Sequence, residues 1–218
     1  MKGLLIKDLK LMLAQKRFFL LVFGMGIMLM FVNGEPSTAM GYIILLATTF
    51  SLNTVSYDEH EQGMSFLMTL PISRKLYVTE KYVFAGALAI IATVTAILLA
   101  YMATITRDVE QGLTEICVIA VIMLVIALTI LAFTLPLKLK FGAEKGQMAL
   151  FAVSALIGIV IALSFSLAEK MGSDFELAID KILSQSIEKI VLLAVFALIL
   201  VLLASYFISV RIINKKEY

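Results

Sequence analysis

The chain of 218 residues carries one cysteine and one histidine. Cys117 has no partner for an intramolecular disulfide, and a single Cys with a single His excludes a Cys/His metal site. Proline is scarce as well. Pro36 and Pro71 fall in loops and Pro136 at the end of an apolar run, so no run is broken by proline at its middle, as carrier helices often are. The apolar runs are equally poor in charge, holding no Asp, Glu, Lys, Arg or His in their interiors. Carriers coupled to ions or protons keep ionisable groups at such positions, because an intramembrane charge is costly and is retained for work. A secondary transporter is therefore disfavoured, except for one using a Na⁺ site of backbone and hydroxyl oxygens. Nor is there an HExxH, a Ser/His arrangement, an intramembrane carboxylate pair or a G-x-x-x-x-G-K-[ST] phosphate loop. The chain is not expected to be an enzyme or to hold a cofactor or metal, and no nucleic-acid partner is expected. Energy for any work has to arrive from another subunit.

What the sequence does contain is apolar surface. Hydrophobic residues make up 61% of it, against the roughly 45–50% apolar share of soluble domains. A soluble fold of this size has no interior large enough to hide them, so the expected class is an all-α polytopic membrane protein, residues 1–218 forming a single transmembrane domain. A helix crossing the hydrocarbon core needs about 20 apolar residues. Six runs meet that need, at about 18–34, 38–56, 82–104, 115–137, 147–168 and 188–210. The first is short and carries Gly24 and Gly26. The NGEPS turn after it predicts an antiparallel hairpin of the first two spans.

Basic residues orient such a bundle, since Lys and Arg near short loops stay on the cytoplasmic side. With both termini inside, only Arg107, Lys170, Lys181 and Lys189 of the 18 Lys and Arg fall outside. Acids lean the other way, with Glu35, Asp108, Glu110, Glu115, Glu169, Asp174, Glu176, Asp180 and Glu188 outside. The opening MKGLLIKDLKLMLAQKR sets Lys7, Asp8, Lys10 and Lys16 against Leu5, Ile6, Leu9, Met12 and Leu13 at roughly helical spacing. That pattern predicts an interfacial helix over 1–17, flat in the headgroup region with its lysines on anionic lipid. A cleaved signal peptide over 1–39, with STA before Met40, is a rival reading that the long basic stretch disfavours.

Ala92, Ala96 and Ala100, and Ser154, Gly158 and Ala162, form small-residue faces suited to close helix packing, within the chain or between copies. Thr49, Asn53 and Ser56 form a polar stripe on the second span, for an interhelical hydrogen bond or a transport path. On the outside, SDFELAIDKILSQSIEKI opens with a Ser173/Glu176 capping box and predicts an amphipathic helix over about 173–187.

Two inside segments remain, 57–81 and 138–146. In the first, YDEHEQG leaves the second span, and GMSFLMTLP allows about two turns of helix, with Gly63 before it and Pro71 ending it. Phe66, Leu67 and Leu70 give that short helix an apolar side, and Ser73 is placed to cap the helix that runs into the third span. A short amphipathic helix across the end of a bundle is suited to dock on a partner or on the membrane. A non-transporting scaffold or sensor subunit would use the same knob.

At these residues the chain resembles a known family. YDE and TLPISRKLYVTEKY, followed by LKFGAEKGQ and preceded by the MKGLLIKDLKL opening, resemble ABC-2-type exporter permeases. More narrowly, they are similar to the membrane subunits of bacterial phenol-soluble-modulin exporters. The resemblance implies a multi-pass permease of the bacterial plasma membrane that pairs with a second copy. It also implies a separate ATP-binding cassette subunit holding ATP and Mg²⁺, with amphipathic peptides as cargo. Gly63, Phe66, Leu67 and Leu70 would belong to the coupling helix, Asp58, Glu59 and Glu61 to its entrance, and Pro71, Ser73 and Arg74 to the joint after it. Lys140, Phe141, Gly142, Glu144 and Lys145 would make the second contact with the ATPase.

Overall fold

The computed structural model describes residues 1–33, 36–59, 63–69, 72–107, 112–171 and 187–216; at 31–33, 65, 68, 107, 143–144, 146–171 and 187–190 it describes the backbone only. Every element among the described residues is a helix: α1 (Lys2–Ala14), α2 (Lys16–Asn33), α3 (Pro36–Glu59), α4 (Gly63–Thr69), α5 (Arg74–Arg107), α6 (Leu113–Met171) and α7 (Ile187–Lys215). Four segments are long and apolar enough to cross a membrane, namely Pro36–Glu59, Arg74–Thr106, Leu113–Gly142 and Val191–Lys215. These correspond to the second, third, fourth and sixth expected runs. The first run reaches that standard only together with α1, across a bend of 63°. Residues 147–168, the fifth run, are helical in backbone, and their side chains lie outside those described. The outer helix expected at about 173–187 falls almost wholly outside the described residues, as do His60, Glu61, Leu70 and Pro71.

Local chemistry explains where the helices stop. Gln15 leaves helical geometry at φ −98°, ψ 32°, and its N–H is shared between the carbonyls of Leu11 and Met12. The N–H of Phe18 then picks up the carbonyl of Gln15 and opens α2. Ser73 caps α5 as its sequence position predicts, its hydroxyl accepting the Leu76 N–H at 3.2 Å. Within α6, Gly142 sits at φ 82°, ψ 174°, a conformation that glycine adopts without steric cost, and the helix is broken there.

α3 lies at the centre, packed against α2, α4, α5 and α6. Its Met40, Ile43 and Ile44 are buried against Ala96, Ala100 and Ala103 of α5 and Ile116 and Ala120 of α6. The alanines continue along one face of α5 as Ala85, Ala89 and Ala92, all buried. Small side chains let two backbones approach, and van der Waals packing then holds helices together where lipid removes the hydrophobic drive. This face serves packing inside the chain. A similar approach occurs at Gly26, where an added Cβ would stand 2.6 Å from the Ile43 side chain. Buried hydroxyls on α3 are satisfied locally, Thr48 on the carbonyl of Ile44, Ser51 on that of Thr48 and Thr54 on that of Ser51. Large apolar side chains point outward instead: Ile90, Val94, Leu98 and Met102 on α5, and Leu193, Phe196, Leu200 and Phe207 on α7.

Ala96→Leu should push α5 off α3 and cost about 1–3 kcal/mol, the usual penalty of overpacking a filled core. Leu98→Ala, on the outward face, should stay within about 0.5 kcal/mol of the parent. Thermal unfolding of both proteins in the same detergent checks the contrast.

Candidate functional site

The candidate site is one end of the bundle, where α1, the end of α3, α4, the start of α5, the break in α6 and the end of α7 meet. Helical phase brings Lys81 there. Tyr77, Lys81, Ala85 and Ala89 recur every fourth residue on α5, so Lys81 continues the buried alanine face. Its side chain is 1% exposed. An ammonium so placed needs anions, and two helices supply them. Asp8 of α1, fully buried, pairs with it, and Asp58 Oδ2 of α3 lies 2.8 Å from it. The hydroxyl of Thr54 accepts a third bond at 3.0 Å. Asp58 also accepts from the Tyr77 hydroxyl at 3.1 Å and from Lys7. Lys7 in turn stands 3.0 Å from Asp8. Glu80 is fully buried beside the cluster, 3.9 Å from the Lys81 ammonium, and neither of its oxygens has a hydrogen-bond partner among the described residues.

This arrangement narrows the lysine contacts expected for 1–17, since Lys7 and Asp8 pair inside the bundle while Lys2, Lys10 and Lys16 stay exposed. Lys7 and Asp8 do not lie on a lipid-facing side. Leu4 and Asp8, one turn apart, face the bundle, and Ile6, Leu9 and Leu13 face outward. The reason is the demand for countercharge at Lys81, which a local reading of helical spacing does not register.

A second set of contacts closes the same end. Arg74 donates to the carbonyls of Ile213 at 3.1 Å and Asn214 at 2.9 Å, placing a cation at the C-terminus of α7. Lys216 pairs with Glu59 at 3.1 Å and donates to the Leu139 carbonyl at 3.1 Å. Lys138 is buried and donates to the Leu52 carbonyl and the Ser56 hydroxyl, at 3.1 and 3.2 Å. Gly142 lies close by, where an added Cβ would stand 3.4 Å from Glu59 Oε2.

The seven-residue α4 is fixed on this platform. Met64 is buried in the cluster formed by Leu52, Val55, Tyr77, Leu135 and Leu139, and Leu67 packs on it. At Gly63 an added Cβ would meet the Asp58 carbonyl oxygen at 2.8 Å, so only glycine allows α4 to lie this close to the end of α3. Phe66 on its other side is 68% exposed. Just before the α6 break, Lys140 and Phe141 are exposed, the ammonium 5.0 Å from the ring centroid. Lys145 is exposed as well.

The candidate residues read from the sequence therefore divide. Phe66, Lys140, Phe141, Lys145 and Ser73 face outward, where a partner can reach them. Asp58 turns into the bundle, and Glu59, Leu67 and Arg74 bind other helices. Gly63 and Gly142 shape the backbone. Glu61, Leu70, Pro71 and the Glu144 side chain lie outside the described residues. In the stripe on α3, Ser56 accepts from Lys138, Thr49 bonds back to the Leu45 carbonyl, and Asn53 is exposed on the protein surface. Lys7, Asp8, Tyr77, Glu80 and Lys81 fall within the strings that carry the resemblance, but neither they nor Lys138 are assigned to the site by the sequence. The signal for Lys81 was its phase with the alanine face.

Lys81→Met should leave Asp8 and Asp58 short of a buried cation and cost about 3–5 kcal/mol. Glu80→Gln replaces a buried carboxyl that has no hydrogen-bond partner among the described residues and should cost far less. Denaturant midpoints of purified protein separate the two; equal losses would contradict the pairing described.

Residues 3–214 match the family model described as ABC-2 family transporter protein. No curated protein and no solved structure matches the chain. The match covers nearly all of the seven helices and of this polar end, and the chain belongs to the ABC-2 transporter family, as its membrane-embedded permease component.

Proposed function

We propose that the chain is the permease subunit of an ATP-driven exporter and that the end bearing α4 is the docking surface for its ATPase. A permease of this family works with an ATPase subunit, and on this reading that subunit meets Phe66 of α4 and Lys140 and Phe141 beside the α6 break. The carrying observation is Phe66. It is a large aromatic, 68% exposed, on a short helix whose opposite side is locked to the bundle through Met64 and Gly63. An exposed apolar side chain on a rigid mount has the character of an interface anchor.

The remaining assignments belong to the same proposal. Six spans place both termini and the α4 end in the cytoplasm of a bacterial cell, following the distribution of Lys and Arg. Two copies pair with two ATPase subunits, which hold the ATP and Mg²⁺. The cargo is an amphipathic peptide of the phenol-soluble-modulin or antimicrobial kind. Supporting that choice, the described outward helix faces offer apolar side chains and the polar Thr49 and Asn53 without a charged pocket among them.

Phe66→Asp and Phe141→Asp both alter exposed positions, so each protein should fold as the parent does. Each should weaken retention of the ATPase subunit by about tenfold or more, the scale of an aromatic hot spot, and lower ATP-dependent peptide uptake into inverted vesicles. Full retention and full uptake by both variants would sink the assignment.

A further inference from the structure

At the inside of the 63° bend between α1 and α2 lies a cavity of about 280 Å³, walled by α1, α2, α3 and α5. Its lining is ordered along the chain. Lys16 stands at the bend, and Phe19 and Phe23 follow from it at one-turn spacing along a single face of α2. Seven residues of helix carry that face about 10 Å away from the ammonium. Ala47 of α3 and Ala92 of α5 leave the space open at the far side, because each contributes only a methyl group. The cavity is thus apolar along its length, with the exposed Lys16 at its rim.

Lys16 is the one charged residue among the described residues that line the cavity. From Lys10 to Asn33 the chain carries Lys10, Lys16 and Arg17 and no acid. Both Lys16 and Arg17 are exposed. The nearest preceding carboxylate, Asp8, is buried and paired with Lys81 and Lys7, so it does not offset them. The bend is also held in place. The side-chain amide of Gln15 donates to the Tyr57 hydroxyl on α3, and α1 is tied to α3 and α5 through Lys7 and Asp8. A preformed slot of this polarity suits a ligand with an anionic head and a hydrocarbon tail.

We infer that the α1–α2 bend is a binding site for an anionic phospholipid, one acyl chain lying along Phe19 and Phe23 and the phosphate held at Lys16. A zwitterionic lipid presents the same tail with a compensating cation beside its phosphate, so it gains less from Lys16. Losing one basic contact at a membrane surface is worth about fivefold in affinity.

The test uses the full chain in detergent, titrated with short-chain phosphatidylglycerol or phosphatidylcholine, with bound lipid read by native mass spectrometry. The parent should retain phosphatidylglycerol about fivefold better than phosphatidylcholine. Lys16→Gln should abolish that preference. Leu13→Glu, which sets a carboxylate at an exposed position of the lining, should lower phosphatidylglycerol retention and shrink the preference. Equal retention of both lipids by the parent, or an intact preference in Lys16→Gln, would overturn the inference. Glycerol phosphate alone should not compete; competition by it would show a free-phosphate site and overturn the lipid assignment. Displacement of the lipid by a cationic amphipathic peptide, undiminished in Leu13→Glu, would reassign the slot to cargo and overturn it as well.

Discussion

The ammonium of Lys81 governs how this end of the protein is built. It lies on the helix face that packs against α3, where water does not reach it and neighbouring alanines offer nothing polar. Two carboxylates and a hydroxyl surround it, and they come from residues far away in sequence: Asp8, Thr54 and Asp58. Burying such a group against its partners is at best a modest gain, since desolvation offsets most of the attraction. Its effect is on arrangement. Asp8 reaches Lys81 only if α1 folds back against α5, so the 63° bend at Gln15 and the cavity inside it follow from that pairing.

The same pairing marks the boundary of what could be read from the sequence. Long apolar runs are a local signal, and they place α3, α5, the first part of α6 and α7 correctly. Ser73 was readable as a cap, and Ala92, Ala96 and Ala100 as a packing face, because capping and small-residue spacing are also local. Lys7 and Asp8 were misread. In residues 1–17 polar and apolar side chains share several faces, and the choice of face was made by Lys81, 73 positions after Asp8. For Asn53 the sequence leaves an interhelical hydrogen bond and a transport path open. A polar residue within an apolar run suggests a buried hydrogen bond, but the rotation of α3 is set by its buried residues, from Met40 to Val55, and leaves Asn53 exposed.

For the candidate docking surface, composition was more informative than pairing. The segment 57–74 was recognisable as a short helix between a glycine and a cap, and Phe66 as part of its apolar side. The sequence did not separate residues that face a partner from residues that hold the platform together. Asp58 and Glu59 sit side by side in an acidic run, yet one is spent on Lys81, Tyr77 and Lys7 and the other on Lys216. An acidic run at a span end looks like a docking surface only until the cations of other helices are placed beside it.

On the function proposed above, these internal contacts decide what a push on α4 can move. Met64 and the close approach at Gly63 join α4 to α3, so α4 has little freedom to slide over the bundle. Asp58, whose carbonyl oxygen makes that approach, is bonded through its side chain to Tyr77 and Lys81 near the start of α5 and to Lys7 on α1. Arg74 carries the connection to the last carbonyls of α7, and Lys216 returns it to Glu59 and Leu139. A displacement of α4 is therefore shared by α1, α3, α5 and α7 through these hydrogen bonds and ion pairs, buried at Lys81 and Tyr77 and partly exposed at Arg74 and Lys216. The natural place for relative motion is the α6 break, where Gly142 interrupts the helix and the backbone is free of a side chain's restraint. That geometry favours a rigid cluster of helices turning as a unit against the segment after Gly142, rather than a tilt of one span at a time.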